Sequence, residues 1–330
     1  MAGMKILGWG SAHGDREMTN RDMMEYVETS DEWIRSKTGI GQRFFAEQVR
    51  NADMATAAAR EALSKVAERT PLKVTDSRQR AENLCDERAC ATDSIDVLIV
   101  ATFTPDRATP STAAEVAGNL GISGRVLTLD LNSACSGFVY GLVVANAMLQ
   151  TGYRRVLLIA SEKIHPLMDM TDRRTCVLFG DAAGAVILER DADGEFFHLE
   201  GVEPNLEILQ CDRFNPAIRM AGQEVYRFAV SAIPTCSEKL LEQAECTVDD
   251  VDMFIFHQAN RRIIDSAARK LQIPEVKCFL NVEKYGNTSA ASIAVALSEC
   301  LDQKKIEEGS RIVMVGFGAG LSYGGVLMTI

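Results

Sequence analysis

The chain has 330 residues, 47% of them hydrophobic and 25% charged, with a formal net charge of −11. Those proportions are ordinary for a globular protein, and the acidity argues against general nucleic-acid binding. No apolar run approaches the ~20 residues that a bilayer span needs. The nine cysteines occur singly and lack a disulfide-scaffold spacing, and Cys85 and Cys90 have no second ligand pair for zinc. A reducing cytoplasm is the expected setting, without membrane or nucleic acid as partners.

In chain order, Met1-Ala2-Gly3-Met4-Lys5-Ile6 enters a strand directly, with no apolar signal core behind a basic start. Thr29-Ser30-Asp31-Glu32 fits a capping box opening a short helix through Trp33 and Ile34. Residues 52–66 form an amphipathic helix pattern, and residues 68–92 turn polar and aperiodic, as an exposed insertion would. Apolar runs at 94–100 and 126–131 read as buried strands. The second leads through Asn132-Ser133-Ala134-Cys135-Ser136-Gly137-Phe138 into an almost wholly apolar helix at 139–149.

A cysteine at such a turn has helix amides aimed at its sulfur, and the helix dipole favours thiolate there. It is either a nucleophile or a buried structural thiol. A strand at 155–160 follows, then residues 191–215, which carry little signal. An apolar strand ending at Phe256 meets His257, Gln258, Ala259, Asn260 and a basic helix. The remaining histidines, His13, His165 and His198, lie in polar or loop-like surroundings. His257 stands at a strand end, where α/β folds bind ligands, or is a satisfied core residue. Asn287 sits in a tight turn feeding a small-residue helix, as a functional amide or a turn residue. Basic residues gather at Arg35, Lys37 and Arg43, at Arg173 and Arg174, and at Arg261, Arg262, Arg269 and Lys270. Each cluster either receives an anionic partner or is a solvated helix face.

Internal repetition organises these elements. The strand at 94–100 resembles that at 250–256, and the strand at 155–160 resembles that at 311–316. Asp96 and Val156 are 60 residues apart, as are Asp252 and Ile312. Between the paired strands both segments run helix, strand, tight turn, apolar helix. Continuously apolar strands fit a sheet with helices on both faces. A pseudo-two-fold relation would bring the Cys135 and Asn287 turns near each other.

Six segments carry a family resemblance: Thr29-Ser30-Asp31-Glu32-Trp33-Ile34 with Thr38-Gly39-Ile40; Ala134-Cys135-Ser136-Gly137-Phe138; Phe179-Gly180-Asp181-Ala182-Ala183-Gly184-Ala185; His257-Gln258-Ala259-Asn260-Arg261-Arg262-Ile263; Tyr285-Gly286-Asn287-Thr288-Ser289; and Gly316-Phe317-Gly318-Ala319-Gly320-Leu321-Ser322-Tyr323-Gly324. Together and in order they resemble the β-ketoacyl-acyl-carrier-protein synthase III family, over nearly the full chain. The resemblance implies a thiolase-like α/β fold, with duplicated βαβαβαββ halves in a five-layered α-β-α-β-α sandwich. Residues 1–190 would carry the nucleophile and 191–330 the His and Asn. It further implies Cys135, His257 and Asn287 as catalytic residues and the Cys135 and Ala319 amides as an oxyanion hole. Trp33, Lys37 and Arg173 would bind CoA, Arg262 with Gln258 would dock the carrier protein, and Thr109 would gate an acyl pocket of the partner subunit.

The activity implied is decarboxylative condensation of an acyl-CoA primer with malonyl-acyl-carrier protein, initiating type II fatty acid synthesis in a homodimer without metal or redox cofactor. Three departures stand out. Thr109 replaces a bulky Phe of acetyl-selective relatives, which predicts room for longer or branched primers. Ala319 replaces a loop Gly, and the insertion at 68–92 has no counterpart in short family members; apart from these, Lys37 stands where many relatives have Arg. An acyltransferase or condensing enzyme of secondary metabolism is the alternative within the fold, and a non-catalytic scaffold is a second.

Overall fold

The computed structural model describes residues 2–69, 94–214 and 217–330. The implied insertion at 68–92 therefore lies outside the described residues beyond Arg69, which ends the helix Asn51–Arg69.

One strand, Ala182–Asn205, organises the molecule. Its first part pairs antiparallel with Arg155–Glu162 on one side and Ala2–His13 on the other. Beyond Arg155–Glu162 lie Val97–Ala101 and Leu127–Leu131, all parallel. Its second part pairs with Gly320–Thr329, followed by Arg311–Gly318 and Met253–Phe256. An isolated bridge from Phe254 to Cys278 continues the second sheet outward, as Leu127–Leu131 continues the first. The division expected at 190/191 thus falls inside a strand shared by both sheets.

Side-chain alternation along these strands builds the layers. Leu98, Val100, Leu157 and Ile159 face the helices Asn51–Arg69 and Thr112–Leu120. Their neighbours Val97, Ile99, Val156 and Leu158 face inward, where Gly137–Gln150 and Ala291–Asp302 lie between the sheets. From the other sheet Ile255, Ile312 and Met314 close this central core, while Phe254, Phe256, Val313 and Val315 pack under Gly222–Gln243 and Arg261–Leu271. Burial on both sheet faces is why the strands read as unbroken apolar runs.

The repeat is visible in atomic detail. Val97 registers with Val156 as Met253 does with Ile312. Asp96 accepts from the Arg154 amide at 2.7 Å, and Asp252 from the Arg311 amide at 2.8 Å. Arg155 reaches Glu189 and Arg311 reaches Glu195, both on the shared strand.

Three local expectations are corrected. The helix expected from the Thr29–Glu32 capping box, Asp31–Thr38, starts one residue late: extended Ser30 is the cap and accepts from the Trp33 amide at 3.0 Å, leaving the Thr29 hydroxyl buried without a partner. Arg43 belongs to no anion-receiving cluster. It is fully buried, and its guanidinium donates to Met18 O, Asn20 Oδ1 and Val177 O, while burial lowers its pKa to about 10. His198 lies in the shared strand, opposite Val326.

The central layer tolerates no added volume where the sheet meets the second inner helix. A methyl on Gly184 would sit 2.6 Å from Ala294 Cβ and 2.8 Å from the Val295 amide nitrogen. Gly184→Ala is therefore expected to destabilise the fold by about 1–3 kcal/mol, measured as a lowered thermal midpoint. An unchanged midpoint would contradict this packing.

Candidate active site

The two inner helices are entered by the same turn. Asn132 Oδ1 accepts from the Ala134 amide at 3.3 Å, and Asn287 Oδ1 accepts from the Ser289 amide at 2.9 Å. In each turn the amide donor has a left-handed backbone, with φ of 44° at Ala134 and 51° at Ser289. Asn287 is thus the counterpart of Asn132, and Cys135 that of Ala290. The turns meet across the core: a β-carbon on Gly137 would lie 3.1 Å from that of Ala290.

Cys135 lies in the single 3₁₀ turn Ala134–Ser136 that opens the helix Gly137–Gln150, and is only 8% exposed. The expected stabilisation of thiolate by the helix is outweighed. Burial pushes the thiol up to about 12; a hydrogen bond with Ser289 lowers it, and the nearby Glu162 charge raises it. At rest the Cys135 thiol carries its proton. The glycine-rich loop closes over it, since a β-carbon on Gly318 would fall 2.9 Å from Cys135 Cβ. The positive φ in that loop falls on Gly320, at 130°, and not on Ala319, so alanine is accommodated there.

His257 follows the strand Met253–Phe256 and is 1% exposed. Burial holds its pKa down at about 3, so the imidazole is neutral. Its Nδ1 lies 2.6 Å from Ser292 Oγ, which also accepts the Gln258 amide at 3.4 Å. The Ser292 oxygen can accept that amide while its hydroxyl proton goes to Nδ1, and this arrangement puts the ring proton on Nε2. The Asn287 carboxamide is oriented in the same way. Its oxygen is held by Ser289, leaving Nδ2 as a donor, and its backbone is pinned to Leu178 O and the Gly180 amide. The Phe179-Gly180-Asp181 motif therefore serves as the clamp of the Asn287 turn.

These groups share one cavity of about 250 Å³, lined by Cys135, His257, Asn287, Ser289, Gly318 and Ala319 at one part and by apolar side chains elsewhere. Leu209 comes from the stretch 191–215 that carried little sequence signal, and Ile218, Met220 and Val225 follow it: Leu209–Cys211 and Ile218–Met220 pair antiparallel ahead of the helix Gly222–Gln243. Ser289, Ser292 and Glu162 were also missed. Ser289 closes one of the six resemblance segments without an assigned role, and Glu162 ends the strand Arg155–Glu162, two residues past the apolar run at 155–160.

Outside the cavity, Arg173 lies 5.1 Å over the Trp33 ring and donates to Glu28 O at 3.0 Å. The cation rests directly on the indole, so a flat base could enter between them only by parting them. Lys37 is exposed, and its carbonyl accepts from Asn260, which caps the helix carrying exposed Arg262. Asn260 and Ile263 line the cavity, so these cations flank its mouth. Gln258 is corrected: it is 1% exposed, donates to Phe256 O and Phe279 O, and accepts from the Asn281 amide. It ties loops together and offers no surface for docking. Thr109 is exposed and lines no part of this cavity.

A neutral His257 predicts that decarboxylation of a small malonyl thioester by a Cys135→Ala variant stays flat between pH 5 and 7. A titration near the ordinary histidine value of about 6.5 would contradict the neutral imidazole.

Residues 129–201 match the family model for 3-oxoacyl-[acyl-carrier-protein] synthase III, and residues 241–330 match that for its C-terminal part. A curated β-ketoacyl-[acyl-carrier-protein] synthase III from Synechocystis is 40% identical, across 98% of this chain and 96% of its own. The crystal structure of the Aquifex aeolicus 3-oxoacyl-[acyl-carrier-protein] synthase III superposes with a TM-score of 0.89 at 39% identity, covering 99% of this chain and 100% of that one. The priming β-ketosynthase of the R1128 polyketide pathway gives 0.88 at 32% identity, covering 99% and 96%. No helix among the described residues is long and apolar enough to cross a membrane. With its duplicated fold, its paired turns and this full-length likeness, the chain belongs to the 3-oxoacyl-[acyl-carrier-protein] synthase III family.

Proposed function

We propose that the protein condenses an acyl-CoA primer with malonyl-acyl-carrier protein, losing CO₂ and giving 3-oxoacyl-acyl-carrier protein, the initiating step of fatty acid synthesis. One observation carries this reading: a buried thiol, a neutral imidazole and an oriented carboxamide line the same apolar cavity. Cys135 Sγ attacks the primer thioester and becomes acylated, with the Cys135 and Ala319 amides receiving the oxyanion. CoA leaves as its thiolate. The malonyl thioester then takes its place, with its carbonyl oxygen between His257 Nε2–H and Asn287 Nδ2–H. As CO₂ departs, that oxygen becomes an enolate, and both donors strengthen without a proton having to move. A neutral imidazole suits this role, because it donates without fixing a charge before the enolate forms. The carbanion attacks the acyl carbon and expels Cys135.

Trp33, Arg173 and Lys37 are assigned to CoA, and Arg262 to the acidic carrier protein. Arg262 is exposed in the first turn of its helix beside the cavity mouth. In a homodimer, Thr109 would face the partner's acyl pocket and leave it deep. The structural likeness to a polyketide priming synthase supports a second reading, the same chemistry with a primer of secondary metabolism.

Intact-mass detection of acyl-Cys135 across a panel from acetyl to C12 acyl-CoA, followed by a malonyl-carrier-protein chase, tests the assignment. Cys135→Ala should never acylate, and Asn287→Ala should acylate normally yet lose about 10²–10³-fold in decarboxylation. Loss of both steps together in Asn287→Ala would contradict the division of roles. Primers longer than acetyl should turn over at least as well as acetyl, and strict acetyl preference would refute the open pocket assigned to Thr109.

A further inference from the structure

The two halves of the fold differ at one pair of strand ends. Arg155–Glu162 and Arg311–Gly318 are equivalent strands of eight residues each, so Glu162 and Gly318 occupy the same place in the repeat. Each faces the turn of the opposite half. A β-carbon on Gly318 would lie 2.9 Å from Cys135 Cβ, whereas Glu162 reaches the Asn287 turn, where Ser289 Oγ donates to its Oε1 at 3.3 Å. Gly318 must stay bare for the sulfur to fit. Glu162 brings to the other turn a fully buried carboxyl that the condensation scheme leaves unused.

The other oxygen of that carboxyl is tied to the first half. Glu162 Oε2 accepts from Thr104 Oγ1 at 2.6 Å, from Thr102 Oγ1 at 3.2 Å and from the Phe103 amide at 3.2 Å. Thr104 Oγ1 in turn accepts the Lys163 amide, and Thr102 Oγ1 accepts from Asn51 Nδ2, at the start of the helix Asn51–Arg69. The carboxyl is thus a fixed point of the first half from which Ser289, in the second, is held. The two turns show what this anchor does. Ala134 and Ser289 share a left-handed backbone, with φ of 44° and 51°, which strains a residue other than glycine. Ala134 has no hydroxyl to be held, and its amide lies 3.3 Å from Asn132 Oδ1; anchored Ser289 has its amide 2.9 Å from Asn287 Oδ1. The tighter turn is the one whose asparagine is given a chemical task.

We infer that Glu162 is a positioning residue for decarboxylation: by gripping the Ser289 side chain it fixes the Ser289 backbone, whose amide holds the Asn287 oxygen and so aims Nδ2–H at the enolate. This rests on the condensation reading above. Glu162 acts here through two intermediaries and touches no reacting atom. Without the anchor, Ser289 is free to leave its strained conformation, and its amide turns away from Asn287.

The grip needs neither charge nor proton transfer. Burial raises the Glu162 carboxyl to about 8, so at pH 7 the neutral acid predominates, and the hydrogen bond between the Glu162 and Ser289 oxygens persists whichever of them supplies the proton. Glutamine has the same shape and is neutral. Its carbonyl can take the Phe103 amide and the threonine hydroxyls while its NH₂ meets Ser289 Oγ, so it should serve in place of the glutamate.

The test measures the two half-reactions separately on the full-length protein at pH 7: acyl-Cys135 by intact mass after mixing with acyl-CoA, and CO₂ release from a malonyl thioester. Glu162→Ala should acylate as wild type does and release CO₂ about 10- to 100-fold more slowly, with the fall in kcat and not in KM. Glu162→Gln should restore the wild-type rate. Ser289→Ala removes the anchor from the other side, leaving Glu162 its three other donors, and should slow CO₂ release by the same factor. The double variant should lose no more than either alone. Parallel loss of both half-reactions in Glu162→Ala would overturn the assignment. So would unimpaired CO₂ release, a Glu162→Gln variant as slow as Glu162→Ala, or additive losses in the double variant. Should Glu162→Ala fail to fold, Ser289→Ala decides, and a wild-type rate of CO₂ release there would overturn the inference. A wild type that neither acylates nor releases CO₂ would instead remove the condensation reading itself.

Discussion

A side-chain oxygen accepting an amide two residues ahead bends the chain identically at Asn132 and Asn287, and the site depends on that repeated turn. Each turn forces the next but one residue into a left-handed conformation, which only a compensating contact makes tolerable for a residue other than glycine. The copies diverge in what they deliver. The first presents a sulfur one residue later, at Cys135, and the second spends its own asparagine on the cavity. Pseudo-symmetry between the halves sets two inner helices side by side, so residues more than a hundred apart in sequence meet without any long loop. The shared strand Ala182–Asn205 makes that arrangement rigid, because both sheets are hydrogen-bonded to it.

Burial is the second determinant, and it acts against charge throughout. It keeps Cys135 a thiol, His257 a neutral imidazole and Glu162 close to protonation. The resting site is thus nearly uncharged inside an acidic protein, and its charges arise as bonds are made. Donors that need not change protonation, namely two backbone amides, one imidazole N–H and one carboxamide, are suited to oxygen atoms that become negative only in passing. Cations are kept at the rim, at Lys37 and Arg262, where solvent shares the cost of holding them.

Much of this was legible in the sequence because it obeys short rules. The strands are apolar on both faces, so their repeat stood out, and Asp96 and Asp252 marked equivalent starts. Cys135, His257 and Asn287 lie at element ends with distinctive neighbours. The cavity-lining strand pair was hidden, since Leu209–Cys211 and Ile218–Met220 are too short to show alternation. Gln258 misled because the exposed Arg261 and Arg262 follow it closely in sequence, while its own side chain turns inward to three backbone groups. Arg43 misled likewise, as charge in a sequence does not tell whether carbonyls await it in the interior. Ser289, Ser292 and Glu162 are ordinary residue types whose importance comes from distance alone.

The proposed chemistry requires the two amides and the sulfur to act at one point. The most direct measurement is a crystal structure of the protein trapped as its acyl-Cys135 thioester. The acyl carbonyl oxygen should lie within about 2.7–3.1 Å of both the Cys135 and Ala319 nitrogens, with its chain running between the hairpin and Val225. An acyl oxygen turned away from those amides, or an acyl group carried by a residue other than Cys135, would contradict it.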